Sequence, residues 1–324
     1  MSDGTGLILV TGATGFVGRA LVLRLAIACS QGIRAAVRDG LAKRASEVQT
    51  VLVSDLSVDT DWSLALLGVS QVVHAAARVH VMQDAALDAL TEYRRVNVQG
   101  TLNLARQAAA TGVKRFIFLS SVKVNGEATQ PGQFFTADDA PSPQDPYGIS
   151  KMEAVEGLRE IAARTGMEVV IIRPPLVYGP GVKANFQAMT RWLVRGAPLP
   201  FAAITHNRRS LVALDNLVDL IVTCIHHPAA ANQTFLVSDG EDLSTTDLLR
   251  RMGHALGKPA RLLPVPPALL KLEATLLGKP EMAQRLCGSL QVDISKTRQL
   301  LGWSPPVSVD EGLRRAAMGS RLTP

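Results

Sequence analysis

The first half of the chain repeats one pattern: a short apolar run, a small or polar cluster, then apolar residues at helical spacing. Runs at residues 7–10, 33–37, 51–53, 69–74, 115–119 and 168–172 predict six strands, rich in apolar residues as in a sheet covered on both faces. Helical spacing separates them, first through Ala20, Leu21, Leu23 and Leu25, then over 87–110 and 147–164. Strands alternating with helices predict right-handed βαβ units and an α/β fold with a doubly wound parallel sheet. Beyond Gly179 the alternation loosens. Residues 186–196 and 217–226 read as helices, 210–214 and 234–238 as strands, and the remainder as mostly helical with proline joints at 264–267 and 305–306. Residues 1–178 are therefore assigned to the sheet domain, with a segment at about 212–238 returning to it. Residues 179–324 form a smaller, mostly helical C-terminal lobe.

The first turn carries the first candidate chemistry. Strand one breaks into Gly12, Gly15 and Gly18 before the helix resumes. Unpaired helix-terminal amides and the positive end of the helix dipole make such a turn an anion cradle, and glycines let the backbone approach a pyrophosphate. The G-x-x-G-x-x-G spacing is one residue longer at its first gap than the common dinucleotide fingerprint, so the flanking strand and helix carry the inference. In a doubly wound sheet ligands bind at the carboxyl ends of the strands. The polar and small clusters at 38–39, 55–56, 75–77, 120–121 and 173–175 all fall at such ends.

Composition narrows the partners. With 47% apolar and 19% charged residues, the chain reads as globular. A net charge of +6 is spread as single Lys and Arg residues, and aromatics are only 4%, so no base-stacking platform for nucleic acid is expected. Cys29, Cys224 and Cys287 are unpatterned and read as reduced thiols, without metal ligation. No basic leader and no apolar run of spanning length are evident, so a cytoplasmic protein without membrane partner is expected.

The second signal is Tyr147-Gly-Ile-Ser-Lys151. On a helix, i and i+4 share a face, so phenol and ammonium can share a site, where the cation would lower the phenol's pKa. Ser121, at the end of the fifth strand, can hold a substrate oxygen.

Together these motifs resemble the extended short-chain dehydrogenase/reductases, and more narrowly their nucleotide-sugar epimerase/dehydratase/reductase group. Thr-Gly-Ala-Thr-Gly-Phe-Val-Gly at 11–18 is similar to the family's cofactor turn, Val-His-Ala-Ala-Ala at 73–77 to its fourth-strand end, and Val-Asn-Val-Gln-Gly-Thr at 96–101 to its Asn-bearing helix. Ser-Ser-Val-Lys-Val-Asn-Gly at 120–126, Pro-Tyr-Gly-Ile-Ser-Lys at 146–151 and Arg-Pro-Pro-Leu-Val-Tyr-Gly-Pro-Gly at 173–181 complete the series, with Arg209-Ser-Leu-Val-Ala-Leu-Asp-Asn-Leu further on.

The resemblance implies a Rossmann-type sheet binding NADP(H) or NAD(H), and hydride chemistry at C4 of a UDP-sugar. Ser121, Tyr147 and Lys151 are the implied catalytic residues. Gly12, Thr14, Gly15, Phe16, Val17, Gly18, Arg38, Asp55, Leu56, Ala75, Ala76, Ala77, Asn97 and Pro174, with Tyr147 and Lys151, are the implied cofactor set. Lys123, Val124, Asn125, Asn185, Arg209 and Arg285 are the implied substrate set. A homodimer through two helices per subunit, about 88–110 and 147–165, is also implied.

Departures from the family pattern select among reactions. The 4,6-dehydratases carry Asp-Glu directly after the catalytic hydroxyl; here those positions are Val122 and Lys123, which removes dehydration. The 4-epimerases usually have Tyr where this chain has Asn125. Val37 occupies the place of the acid that binds a ribose 2′-hydroxyl, with Arg38 next and Asp39 one residue late, which favours NADP(H). The leading expectation is therefore reduction of a UDP-4-keto-6-deoxy-N-acetylhexosamine for surface polysaccharide. The alternative is a UDP-glucose or UDP-N-acetylglucosamine 4-epimerase with tightly bound NAD, and a remote one is a non-catalytic dinucleotide sensor.

Overall fold

A computed structural model describes residues 6–28, 31–38, 48–79, 88–182, 184–278 and 280–321. Cys29, Asp39 and the Leu87 start of an expected helix lie outside the described residues. In chain order the first elements are β1 (Leu7–Thr11), α1 (Phe16–Ala28), β2 (Ile33–Val37), β3 (Val48–Leu52), α2 (Ser63–Leu66) and β4 (Val69–His74). Next come α3 (Ala89–Tyr93), α4 (Thr101–Ala110), β5 (Arg115–Leu119), α5 (Pro146–Thr165) and β6 (Glu168–Arg173). Beyond these lie β7 (Leu176–Tyr178), α6 (Ala184–Arg195), β8 (Arg209–Ala213), α7 (Leu214–His226), β9 (Thr234–Leu236) and β10 (Asp242–Leu243). The chain closes with α8 (Thr245–Ala255), α9 (Pro267–Leu276), α10 (Pro280–Cys287), α11 (Ser295–Leu301) and α12 (Val309–Arg321).

Seven parallel strands pair in the order β3-β2-β1-β4-β5-β6-β9. The chain steps outward from β1 to β3, then returns to the other side of β1 at β4. That reversal makes the β1/β4 junction the switch point where a doubly wound sheet opens a crevice. Side chains alternate across the sheet, which explains the apolar runs. Ile8 and Val10 of β1 join Val73, Ile117 and Ile172 under α1 and α7, through Leu21, Leu25, Leu217 and Ile221. Leu9 faces the other way, with Val72, Phe116 and Phe118 under α4 and α5, through Leu104, Ala105, Ala154 and Leu158. Each Val, Leu, Ile or Phe side chain so buried stabilises the fold by roughly 1.5–3 kcal/mol.

The inner strands match the expected runs to within a residue. The edge strand β3 begins three residues earlier than expected, because an edge strand with exposed Gln49 and Thr50 carries little apolar signal. The expected helix at 87–110 is interrupted: Arg94–Gly100 is wound as a π-helix between α3 and α4. β9 pairs with β6 in the main sheet, and α7 packs against the same face as α1.

Not expected was a second sheet, β10-β8-β7. Its outer strands have three and two residues, too few to leave a periodic signal. It anchors a separate core in which Tyr178 stacks on Phe186 beside Leu249, Met252 and Leu313. Residues 289–293 then stitch the lobe to the sheet domain. Ser210 N donates to Leu290 O (2.8 Å), Thr129 N to Ser289 O (2.9 Å) and Phe135 N to Gln291 O (2.9 Å).

Candidate active site

The glycine turn sits at the switch point. Gly12 has φ +67°, and a Cβ there would lie 2.7 Å from Ala76 N, so β1 and the 75–77 segment touch through backbone. A Cβ on Gly18 would overlap the Gly12 carbonyl, so α1 can press onto the turn only with glycine there. Thr14 and Gly15 are exposed at the tip, ahead of the first-turn amides of α1 at Phe16 and Val17. A Cβ-sized cradle of backbone donors at a helix N-terminus suits a pyrophosphate.

Other members of the expected cofactor set surround it at the carboxyl ends of parallel strands. Arg38 is exposed after β2, and Asp55 is exposed after β3, where Arg95 approaches it at 3.6 Å. Leu56 is buried beside it, Ala75 to Ala77 are half-buried after β4, and Pro174 follows β6. Asn97 instead bonds within the protein. Its Oδ1 accepts from Arg78 N (2.8 Å), and its Nδ2 donates to Arg78 O (3.0 Å) and Ser150 Oγ (3.1 Å). It therefore clamps the loop after β4 to α5. The π-helical turn is what carries this buried side chain to that position.

Ser121 follows the end of β5, where Lys151 also reaches, and Tyr147 precedes Lys151 by one turn of α5. Asp145 caps α5 by accepting from Gly148 N (2.6 Å), and Pro146 opens the helix, which places Tyr147 on its first turn. One turn on, Lys151 is fully buried; its Nζ donates to Leu119 O (2.9 Å) and lies 4.3 Å above the Phe118 ring centroid. Two residues beyond Leu119, Ser121 Oγ accepts from Lys123 N (3.2 Å), which leaves its O–H to donate elsewhere.

The electrostatics differ from the simple pairing of phenol and ammonium. Burial lowers Lys151 to about 7, so it is only half charged near neutrality. Burial, then Asp145 and Tyr93, raise the Tyr147 phenol well above its ordinary value. Lys151 Nζ lies 6.0 Å from the Tyr147 ring centroid, held toward Leu119 and Phe118. The lowering of Tyr147 by Lys151 that the spacing suggested is therefore outweighed in this structure. Beneath the site His74 is fully buried, with Nδ1 2.6 Å from Thr11 Oγ1 and Nε2 2.9 Å from Thr101 Oγ1. Burial and the nearby Lys151 push it to about 3, so it stays neutral and ties β1, β4 and α4 together.

The expected substrate residues divide. Arg209 starts β8 and donates to Gly288 O (3.2 Å); burial, then Arg285, lower its guanidinium pKa. Two cations drawn together, one mostly out of water, form a site that an anion would stabilise. Arg285 reaches it from α10, where it also pairs with Glu281 at 3.2 Å. Asn185 falls in the first turn of α6. Lys123 is occupied: it pairs with Asp145 and with Glu127 (3.0 Å). Burial opposes its charge, but those two partners hold its pKa above the usual lysine value. Val124 is buried. Asn125 is also buried, donating to Thr136 O (2.8 Å) and accepting from Arg173 Nη1 (3.1 Å).

Asp145 and Tyr93 were missed as parts of the site. Asp-Pro ahead of an expected helix is a readable cap signal, whereas Tyr93 meets the Tyr147 ring edge-on, at 6.0 Å, only in three dimensions. Among the described residues no cluster of His, Cys, Asp or Glu could hold a metal ion.

Comparison with known proteins agrees with this architecture. The chain is 52% identical to UDP-glucose 4-epimerase of Vibrio cholerae over 310 residues, covering 96% of this chain and 94% of that protein. It is 28% identical to N-acetyl-alpha-D-glucosaminyl-diphospho-ditrans,octacis-undecaprenol 4-epimerase of Escherichia coli O157:H7, covering 95% and 93%. The crystal structure of UDP-glucuronic acid 4-epimerase from Bacillus cereus in complex with NAD shares the fold, with a TM-score of 0.79 at 21% identity over 97% of this chain and 98% of that one. The family model of the NAD dependent epimerase/dehydratase family matches residues 8–238. This chain belongs to that family, and is an enzyme with a nicotinamide dinucleotide cofactor.

Proposed function

We propose that the enzyme interconverts the C4 epimers of a UDP-sugar, UDP-glucose first among them, and keeps its dinucleotide bound through the cycle. The full-length match to UDP-glucose 4-epimerase at 52% identity carries this reading, and it favours the epimerase over the 4-keto reduction that the sequence put first. The position after Ser121 supports it: Val122 is buried and Lys123 is locked between Asp145 and Glu127, so chemistry is confined to one sugar carbon.

Bound nicotinamide supplies the hydride acceptor and donor. Tyr147 would take the proton of the 4-hydroxyl while Ser121 hydrogen-bonds the same oxygen, and, once the keto sugar has turned in the site, Tyr147 would return that proton. No external reductant is consumed. Lys151, when charged, stabilises tyrosinate. Arg209 and Arg285 grip the diphosphate, for which a guanidinium fork is suited. The glycine turn from Gly12 to Gly18 takes the dinucleotide pyrophosphate, with Arg38, Asp55 and Leu56 around the adenosine. Ala75 to Ala77 and Pro174 line the nicotinamide side.

The test begins with the purified protein, denatured, and its released nucleotide identified by chromatography. Stoichiometric dinucleotide, together with UDP-galactose formed from UDP-glucose without added reductant, supports the proposal. NADPH oxidation on a 4-keto UDP-sugar, with no interconversion visible by anomeric NMR, overturns it. We also propose a homodimer through α3–α4 and α5, which Arg94 and Glu153 already link within one subunit at 2.6 Å. A monomeric mass by light scattering counts against that.

A further inference from the structure

Ser121 and Tyr147 come from separate stretches of chain, one after β5 and one in the first turn of α5. Backbone contacts bring the two stretches together. Ser142 N, on the loop that leads to α5, donates to Val124 O (2.9 Å), and a Cβ on Gly148 would lie 3.0 Å from Lys123 O. Lys123 adds a tie of its own. From the short turn Val122–Val124 its ammonium reaches Asp145, the N-cap of α5, and Glu127 (3.0 Å). Its backbone N donates to Ser121 Oγ (3.2 Å). One residue thus holds the serine through its amide and the tyrosine's helix through its side chain.

Charge gives that tie a second effect. Asp145 accepts from Gly148 N with Oδ1 (2.6 Å) and from Lys123 Nζ with Oδ2. Both carboxylates share one partly buried ammonium, so without it two negative charges would be left close together. The groups around the Tyr147 phenol are Asp145, Tyr93 of α3 with Arg78 5.8 Å over its ring, and Lys151 one turn along α5. After burial, Asp145 is what most raises that phenol's pKa, and Lys123 is the cation bonded to Asp145.

We propose that Lys123 is a positioning residue: its ammonium pins the N-cap of α5 to the Ser121 segment, so that serine and tyrosine present their hydroxyls together, and it balances the Asp145 charge. This assignment rests on Tyr147 being the proton carrier, as proposed above. It replaces the substrate contact that the family resemblance implied for Lys123, because two of the three ammonium donors are engaged by carboxylates.

The test is the pH profile of kcat/KM, with kcat and KM separated, for Lys123→Met. Lys123→Gln is a second uncharged variant if the first fails to fold, and retained dinucleotide is checked in both. We expect kcat to fall by about 10–100-fold with KM for UDP-glucose changed by less than about threefold. The limb set by Tyr147 should move up by about 1 pH unit, since the Asp145 charge is then unbalanced. Lys123→Arg keeps the cation and should hold the limb in place with most of the activity. In Lys123→Met/Asp145→Asn the carboxylate is gone too, so the limb should return to its wild-type position or below it. A merely structural lysine would produce neither the shift nor its reversal. A limb that stays in place in the uncharged variants overturns the proposal, and so does a loss confined to KM, which returns Lys123 to the substrate. Tyr147→Phe keeps the two readings apart. If that variant stays active, the proton carrier is misassigned and this proposal falls with it. If it is inactive while the limb ignores Lys123, only the role of Lys123 is refuted. Should the enzyme reduce a 4-keto UDP-sugar instead of epimerising, the same profiles are read on that reaction, where Tyr147 also moves the proton.

Discussion

Lys151 gives the sharpest quantitative test, because the structure sets its function against stability. Its pKa falls from 10.5 to about 7, with burial as the cause. A tenfold change in proton affinity is worth about 1.4 kcal/mol, so burying this lysine costs on the order of 4 kcal/mol near pH 7. Lys151→Met removes that cost but forfeits the bond to Leu119 O and the contact with the Phe118 ring, together about 2 kcal/mol. The variant should therefore be more stable by about 2 kcal/mol near pH 7, a rise in Tm of about 3 °C for a chain this long. The pH dependence has a definite sign. The unfolded chain keeps the Lys151 proton up to about pH 10, while the folded one releases it through about pH 7, so wild-type stability rises between the two. Raising the pH to about 9 should narrow the gap between variant and wild type by about 2 kcal/mol. Activity should fall by about 10²–10⁴-fold at either pH. Calorimetry or dye-monitored melting of dinucleotide-free protein at both pH values reads the effect. A variant less stable at neutral pH, or a gap that does not change with pH, refutes the reasoning.

Asp145→Asn keeps a capping oxygen for Gly148 N but removes a negative charge that raises Tyr147. The limb of the kcat/KM profile set by Tyr147 should move to lower pH, and an unchanged profile would dismiss Asp145 as a contributor. Gly18→Ala forces a Cβ into the Gly12 carbonyl, so the turn must open; purified protein should lose most of its bound dinucleotide, measured by chromatography after denaturation. Arg209→Ala should raise KM for UDP-glucose by about 10–100-fold with kcat little changed, as expected for a lost charge-assisted contact. Steady-state kinetics that show the loss in kcat instead would assign Arg209 another role. Asn97→Ala removes the two bonds from Asn97 to the Arg78 backbone and should destabilise by about 1–3 kcal/mol in urea unfolding.

What could be read from the sequence was whatever a short stretch of chain determines. The apolar runs located the inner strands because both faces of each are covered, and the glycines at 12 and 18 were legible because a backbone contact demands them. The i, i+4 spacing placed Tyr147 and Lys151 on one helix face, but spacing says nothing of where a long side chain ends. The Lys151 ammonium is drawn to Leu119 O, on a strand 32 residues away in sequence, and the resulting burial decides its charge. Lys123 makes the same point: its partner at i+4, Glu127, is visible on paper, while Asp145, 22 residues on, is supplied by the fold. Arg209 and Arg285 stand 76 residues apart, and the crossing of residues 289–293 over β8 brings α10 close to Arg209. Burial and then Arg285, carried there by the fold, lower the Arg209 guanidinium's affinity for its proton, and an anion between the two cations would relieve their repulsion. The pairing of two unlike elements around mutual repulsion is therefore a stronger pointer to a bound diphosphate than either arginine's place in a motif.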